Sequence, residues 1–444
     1  MRFFSAQKID YASTSSLNAI GQWQEQRRYL TDTTAVVRTL VLLLLIALIV
    51  ILVTRWLTIP YTLGLVVVGL LISLLGVLPT IHLTPELVLF VFLPALLFEG
   101  AWMIEVQKLR ENWVPIFLLA VPGLLVSLLL IALLVHFLAG LDWSLALLLG
   151  AILSPTDPVA VLGLFRQLRV NIRLSTIIEG ESLFNDGIAG SLYQTFLALI
   201  LLTLQGHANA GISVWGEGIL TFLLEAGGGV VVGVVCGFVL SRFVKYIDEP
   251  LIETTITVIA AYGVYLLADT LHASGILALI IAALIFGSYG RRIGMSEQTR
   301  EAVDTFWRII AFIANALLFL LIGAELNPVK FLYSNSLWSL LLTAGVAVVA
   351  VLFARLAMVL MLRAMSPLMK GALLFSWRFV IFWSGLRGAL SLALVLALPL
   401  EVPARDTLIF STYAVVLFTL LVQGLSLRLI IRRLPSTMPQ EQTK

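Results

Sequence analysis

An all-α polytopic membrane protein with about thirteen transmembrane helices is the fold class that the sequence predicts, and three observations predict it. Of 444 residues, 60% are hydrophobic and only 12% charged, with a mean hydropathy of +1.05. Soluble domains carry about 25% charged residues. Apolar runs recur from end to end, such as VVRTLVLLLLIALIVILV and LLTAGVAVVAVLFARLAMVLML, and about twenty apolar residues suffice to cross a bilayer. The basic residues between these runs fall in alternate loops.

Thirteen spans are read near 36–57, 60–78, 84–102, 113–138, 143–165, 176–204, 217–241, 251–269, 273–290, 303–325, 336–363, 371–399 and 407–431. Loops after odd-numbered spans and the C-terminal end hold seventeen Lys and Arg residues, including the groups at 166–173, 291–300 and 428–433. Loops after even-numbered spans hold two, Lys330 and Arg405. Cytoplasmic loops carry the Lys/Arg excess. The C-terminus is therefore expected inside and, with an odd count, the N-terminus outside, in the cell (inner) membrane. Residues 1–35 form a polar tail without the basic start and short apolar core of a signal peptide. Residues 432–444 are a short cytoplasmic tail. The 36–431 region divides into six spans (36–204), a linking span (217–241) and six more (251–431). Such an odd link gives the two halves opposite orientations, an inverted repeat of the kind that builds secondary transporters.

Composition also narrows the chemistry. The single cysteine, Cys236, reads as a small core residue. His82, His136, His207 and His272 lack metal-ligand spacing. No HExxH, phosphate-binding loop or GxSxG segment occurs. No soluble basic face implies nucleic acid, and no cofactor is implied.

The informative residues are charges at membrane depth. Four arginines lie inside spans, Arg308, Arg355, Arg378 and Arg387, together with the acids Glu99, Asp157, Glu181, Asp186 and Glu325. Each such charge costs about 2.5–3.5 kcal/mol on insertion scales and persists where it pairs or lines a wet path. In span 5, LSPTDPVAVLG (153–163) brackets Thr156 and Asp157 with Pro155 and Pro158. Proline removes a backbone donor and clashes with the preceding turn, so the helix is expected to unwind there. Unwound backbone at membrane depth is tolerated in protein or beside a watery cavity, where its carbonyls and half-helix ends can hold ions.

Span 6 carries GESLFNDG (180–187). Glu181 and Asn185 are four apart, as are Ser182 and Asp186, and positions three and four apart share a helix face. The four are read as one polar patch, with Leu183 and Phe184 facing elsewhere. Its oxygens suit hard cations such as Na⁺ and Li⁺, or a proton on a carboxylate. In span 12, WSGLRGALSLALVLALP places Arg387 between Gly385 and Gly388, a second loosened helix in the position that matches span 5. Two broken helices in matching positions point to a transport site. Arg387 is expected to offset a buried carboxylate, since an unpaired buried charge is strongly destabilising.

Together, SPTDPVAV, GESLFNDG, FLPALLFEGA and GLRGALSLALVLALP resemble the signature segments of the monovalent cation:proton antiporter-1 family, in its NhaP-type sodium/proton exchangers. The resemblance covers about 36–431. It implies thirteen helices, a homodimer, and a six-helix core moving against a dimer-forming domain. By motif it places Thr156, Asp157, Glu181, Ser182 and Asp186 in the Na⁺/H⁺ site, with Asp186 as the ion-binding carboxylate. It makes Arg387 the partner of the span-6 glutamate, Glu181. Asn185, in place of a second aspartate, implies electroneutral exchange of one cation for one proton. The expected function is Na⁺(Li⁺)/H⁺ antiport by alternating access, with cation and proton competing for Asp186. K⁺/H⁺ antiport is the nearest alternative, because oxygen ligands alone do not separate Na⁺ from K⁺. A cation channel would use the same acids, but matched broken helices favour a carrier. An intramembrane aspartyl protease using Asp157 and Asp186 would fit neither the flanking prolines nor the adjacent Asn185.

Overall fold

A computed structural model describes residues 37–57, 59–76, 85–205, 212–325, 337–365 and 374–434, with positions 34 and 367. Among the described residues the secondary structure is helical throughout. The polar tail at 1–35, except position 34, and the end of the chain past 434 lie outside them. Among the described residues nine helices are long and apolar enough to cross a membrane: α1 (Val37–Leu57), α4 (Trp113–Ala139), α6 (Ile172–Leu204), α7 (Ile212–Val244), α8 (Pro250–Thr270), α9 (Gly275–Ile293), α10 (Glu297–Glu325), α11 (Leu337–Ala364) and α13 (Arg405–Arg433). The other four predicted spans depart from a plain long helix. The second is the short α2 (Tyr61–Leu75), and the third, α3 (85–103), contains a π-helical turn at Val88–Phe92. The fifth and twelfth are broken into α5a (Trp143–Leu153) with α5b (Val159–Leu168), and α12a (Phe375–Trp383) with α12b (Ala389–Leu396). All thirteen predicted spans are accounted for in order, and the two expected interruptions fall where the prolines and glycines place them.

The helices pack into two groups. In one, α4 lies on α11 and α5a, α13 on α11 and α12b, and α6 on α5a. In the other, α2 pairs with α10, and α9 packs on α7, α8 and α3. The pairing of the second span with the tenth is echoed by that of the ninth with the third, as an inverted repeat requires. The α2–α10 crossing is close because Gly69 and Gly323 face each other. A Cβ on Gly69 would strike the Leu320 carbonyl and the Gly323 Cα, so backbones meet directly, as small residues allow between membrane helices. Of the two acids read at the ends of spans 3 and 10, Glu325 ends α10, and only Glu99 lines the cavity described below.

Outward positions carry Leu, Val, Ile and Phe; α7, for example, exposes Leu220, Leu223, Val231, Val235 and Val239. Those faces suit lipid, where apolar surface needs no protein cover. Cys236 is half-buried on α7, packed against Val264, Ala268, Ala278 and Ala282 rather than fully enclosed in the core.

An aromatic clamp ties α3, α8, α9 and α10 together. The fully buried Trp102 lies over Phe98 and edge-on to Phe286. Its indole donates to Asp304 (2.9 Å), which also accepts from Arg291 (2.5 Å). Trp307, against Phe98, donates to Thr257 (2.9 Å). Buried indole N–H groups require such partners. The result fixes α3 one turn beyond Glu99.

Candidate ion-binding site

The two breaks cross. Residues 154–158 and 385–388 are non-helical, and the Asp157 N–H donates to the Leu386 carbonyl (2.8 Å) where they meet. Each break then serves the other helix. The Asp157 carboxylate accepts from Val159 N–H (2.9 Å) at the start of α5b and from Ala389 N–H (3.1 Å) at the start of α12b. A helix N-terminus presents free N–H groups and a partial positive charge, so one carboxylate compensates two half-helices. The reciprocal contact comes from Arg387. Its guanidinium donates to the Ser154 (2.5 Å) and Pro155 (2.8 Å) carbonyls, the orphan acceptors at the C-terminal end of α5a. Its own N–H is held by the Thr419 hydroxyl (3.2 Å), at the first residue of a π-helical turn in α13.

The expected pairing of Arg387 with Glu181 is not what forms. Glu181 is fully buried and is gripped by both terminal nitrogens of Arg355 on α11, which is itself 3% exposed. Arg355 also donates to the Ile381 carbonyl. The reason is helical phase. Neighbouring positions on a helix diverge by about 100°, so Glu181 faces α11 while Ser182 and Asp186 face a different neighbour. Reading the four residues as a single patch merged two adjacent faces. Glu181 therefore does not reach the ion cavity, and Leu183, expected to face elsewhere, lines it.

Asn185 and Ser182 bind the span-5 break. The Ser182 hydroxyl donates to the Thr156 carbonyl (2.6 Å). With that proton committed, the Thr156 hydroxyl is the donor in its 2.9 Å contact with Ser182 Oγ. Asn185 Nδ2 donates to Thr156 Oγ1 (2.9 Å). This closed set locks the unwound Thr156 to α6, with Asn185 buried behind it.

Thr156, Asp157, Ser182 and Asp186 line one cavity of about 770 Å³. Glu181, Asn185 and Arg387 support its wall from behind. Glu99 of α3, Arg166 of α5b, Glu179 of α6 and Arg308 of α10 line the same cavity toward the side of the molecule that carries the basic loops. Among the described residues no ion pair joins these four charges. Deeper in, Asp186 is half-buried and, among the described residues, no group donates a hydrogen bond to its carboxylate. Asp157, the other acid of the cavity floor, already holds two N–H groups. The converging donors are two carboxylates, hydroxyls and backbone carbonyls, a hard oxygen set that fits a transported monovalent cation.

Sequence reasoning left Arg355 unassigned, although it is the basic residue at depth in an otherwise apolar eleventh span. Its signal was the surplus itself, because a lone charge there requires a partner. Glu179 went unremarked. It lies seven positions before Asp186, on the same helical face.

Gly388 makes the crossing possible. A Cβ there would collide with the Asp157 carboxylate. Gly388→Ala is expected to push Asp157 off the α12b N-terminus, costing about 1–3 kcal/mol of overpacking strain and most of the transport rate. Gly163→Ala on α5b, where a Cβ meets open space, is expected to be silent. Melting midpoints and initial rates of the two variants check this; equal behaviour would remove the steric argument.

Residues 42–433 match the family model described as "Sodium/hydrogen exchanger, transmembrane". The chain is 40% identical over 377 residues to the Na⁺/H⁺ antiporter ApNhaP of Aphanothece halophytica, covering 85% of this chain and 70% of that one. It is 38% identical over 366 residues to the Na⁺/H⁺ antiporter NhaP of Pseudomonas aeruginosa, covering 81% and 84%. Among solved structures, the sodium proton antiporter MjNhaP1 of Methanocaldococcus jannaschii shares the fold, with a TM-score of 0.73 at 20% identity over 90% of this chain and 98% of that one. With the crossed half-helices, the oxygen-lined cavity and this match along nearly the whole transmembrane region, the chain belongs to the sodium/hydrogen exchanger family of membrane transporters.

Proposed function

We propose that the protein exchanges Na⁺ or Li⁺ for H⁺ across the cell membrane, one for one and without net charge movement, by alternating access. The observation that carries this reading is the contrast between two carboxylates on one cavity floor. Asp157 is compensated by two helix N-termini, whereas Asp186 has no hydrogen-bond donor among the described residues. A bare carboxylate is costly at membrane depth, and either a cation or a proton relieves that cost. One occupant excludes the other at a single group, so only the loaded states cross, and the two gradients become coupled. Thr156, Asp157 and Ser182 supply the remaining oxygens. Asn185 holds Thr156 in place, and Arg387 holds the broken α5.

The alternating basic loops support a cytoplasmic cavity mouth and C-terminus, with the N-terminus outside. A homodimer, with the α4–α6 and α11–α13 core moving against the other helices, completes the reading.

The test is proton movement in everted vesicles. Adding Na⁺ or Li⁺ is expected to dissipate an acid-inside gradient, with a weaker response to K⁺. A response to K⁺ alone would move the substrate assignment to K⁺/H⁺ exchange, and none to any cation would end the proposal. Imposing a membrane voltage without ion gradients is expected to drive no exchange. A voltage-driven flux would refute the one-for-one stoichiometry.

A further inference from the structure

The cavity floor holds a polar group that neither the motifs nor the site so far described uses. Asn315 of α10 is 6% exposed, and its side-chain oxygen has no hydrogen-bond partner among the described residues. Unsatisfied buried acceptors are rare, and each calls for an explanation. Asn315 lines the same cavity as Asp186.

Its depth follows from two parallel stripes. Both α6 and α10 enter from the basic side. On α6 the cavity-lining face runs from Ile172 and Ser175 through Glu179 and Ser182 to Asp186; on α10 it runs from Arg308 through Ala311 and Phe312 to Asn315. The α6 stripe is the longer, but each stops at its last residue, since neither helix contributes a lining residue beyond Asp186 or Asn315. Asp186 and Asn315 thus terminate the two walls at the floor. The other floor donors, Thr156, Asp157, Ser182 and the buried Ser391, belong to the helix group that contains α6 and the broken helices. Asn315 belongs to the opposing group.

We propose that Asn315 is a substrate-binding residue, whose amide oxygen completes the coordination of the cation held at Asp186 while the cavity is open to the basic side. This rests on the exchange reading above. An amide oxygen is a neutral, hard donor. Placed on the opposing helix group, it contributes when the core rests in this position and is withdrawn when the core moves. The residue therefore tunes affinity for the entering cation on this face, and it does not carry the proton.

In everted vesicles added Na⁺ meets this cavity. Asn315→Ala is expected to raise the half-saturating Na⁺ concentration about tenfold, the loss of one hydrogen-bond-strength contact to a charge, with the maximal rate retained. Asn315→Ser keeps a polar group in the wall and guards against misfolding, but withdraws the oxygen, and should show a similar shift. Asn315→Asp keeps the oxygen in place and should not. The same order is expected for the Na⁺ concentration that raises the melting midpoint of the purified protein. Half-saturation within about twofold of wild type for both Ala and Ser would overturn the assignment, as would loss of maximal rate at unchanged half-saturation. If the wild-type protein answers no cation, the exchange reading fails and this assignment falls with it. A normal wild-type response beside unshifted variants overturns the assignment alone.

Discussion

Asp186→Asn is expected to reduce cation-driven proton movement to the vesicle background while leaving the protein folded. The amide has almost the size of the carboxylate but can neither bind a proton in its place nor neutralise a cation. Because no group among the described residues donates to Asp186, the substitution breaks no hydrogen bond there, and it removes a charge that costs about 2.5–3.5 kcal/mol at membrane depth. The melting midpoint should therefore hold or rise, and its response to Na⁺ should vanish. Asp157→Asn is expected to behave differently. That carboxylate caps α5b and α12b, and losing its charge at two helix ends costs about 0.3–1 kcal/mol at each, so stability falls along with transport. Paired activity and melting measurements on the two variants check the contrast. Residual exchange by Asp186→Asn above background would remove this residue from the coupling step.

The parts of this architecture written in the sequence are those fixed by local chemistry. Pro155 and Pro158 forbid a continuous helix, and Gly385 with Gly388 loosens its counterpart, so both interruptions were legible without a partner in view. Hydropathy and alternating basic loops placed thirteen spans, because every backbone group in lipid must be satisfied within a helix. Which charge meets which was not legible. Arg387 and Arg355 both lie at depth, and choosing between them for Glu181 requires the rotation of α6 and the crossing of α5 with α12. The broken α5a end, with its free Ser154 and Pro155 carbonyls, claims Arg387, and this leaves Arg355 for Glu181. The four-residue spacing of Glu181 and Asn185 was real, but the face that it defines looks away from the cavity. Asn315 was invisible for a related reason. An asparagine in an apolar helix signals only that it needs a partner, and its isolation appears once the neighbouring helices are in place.

The Arg355–Glu181 pair gives the largest expected effect on stability. Both side chains are almost wholly removed from solvent, so deleting either leaves an uncompensated charge between α6 and α11. Arg355→Met and Glu181→Leu are each expected to destabilise by about 3–5 kcal/mol, whereas the double replacement should recover most of that loss, since apolar packing of similar volume often matches a buried ion pair. Residues in contact depart from additivity by about 0.5–3 kcal/mol, and a thermal-unfolding cycle in detergent reads that coupling directly. The matching cycle with Arg387→Met should show Arg387 and Glu181 close to additive, because the Arg387 guanidinium donates to the Ser154 and Pro155 carbonyls just past α5a. Strong coupling of Glu181 to Arg387, with little to Arg355, would mean that helix α6 is rotated from the position found here. Asp186 would then no longer face the cavity, and the case for it as the competing site would go with it.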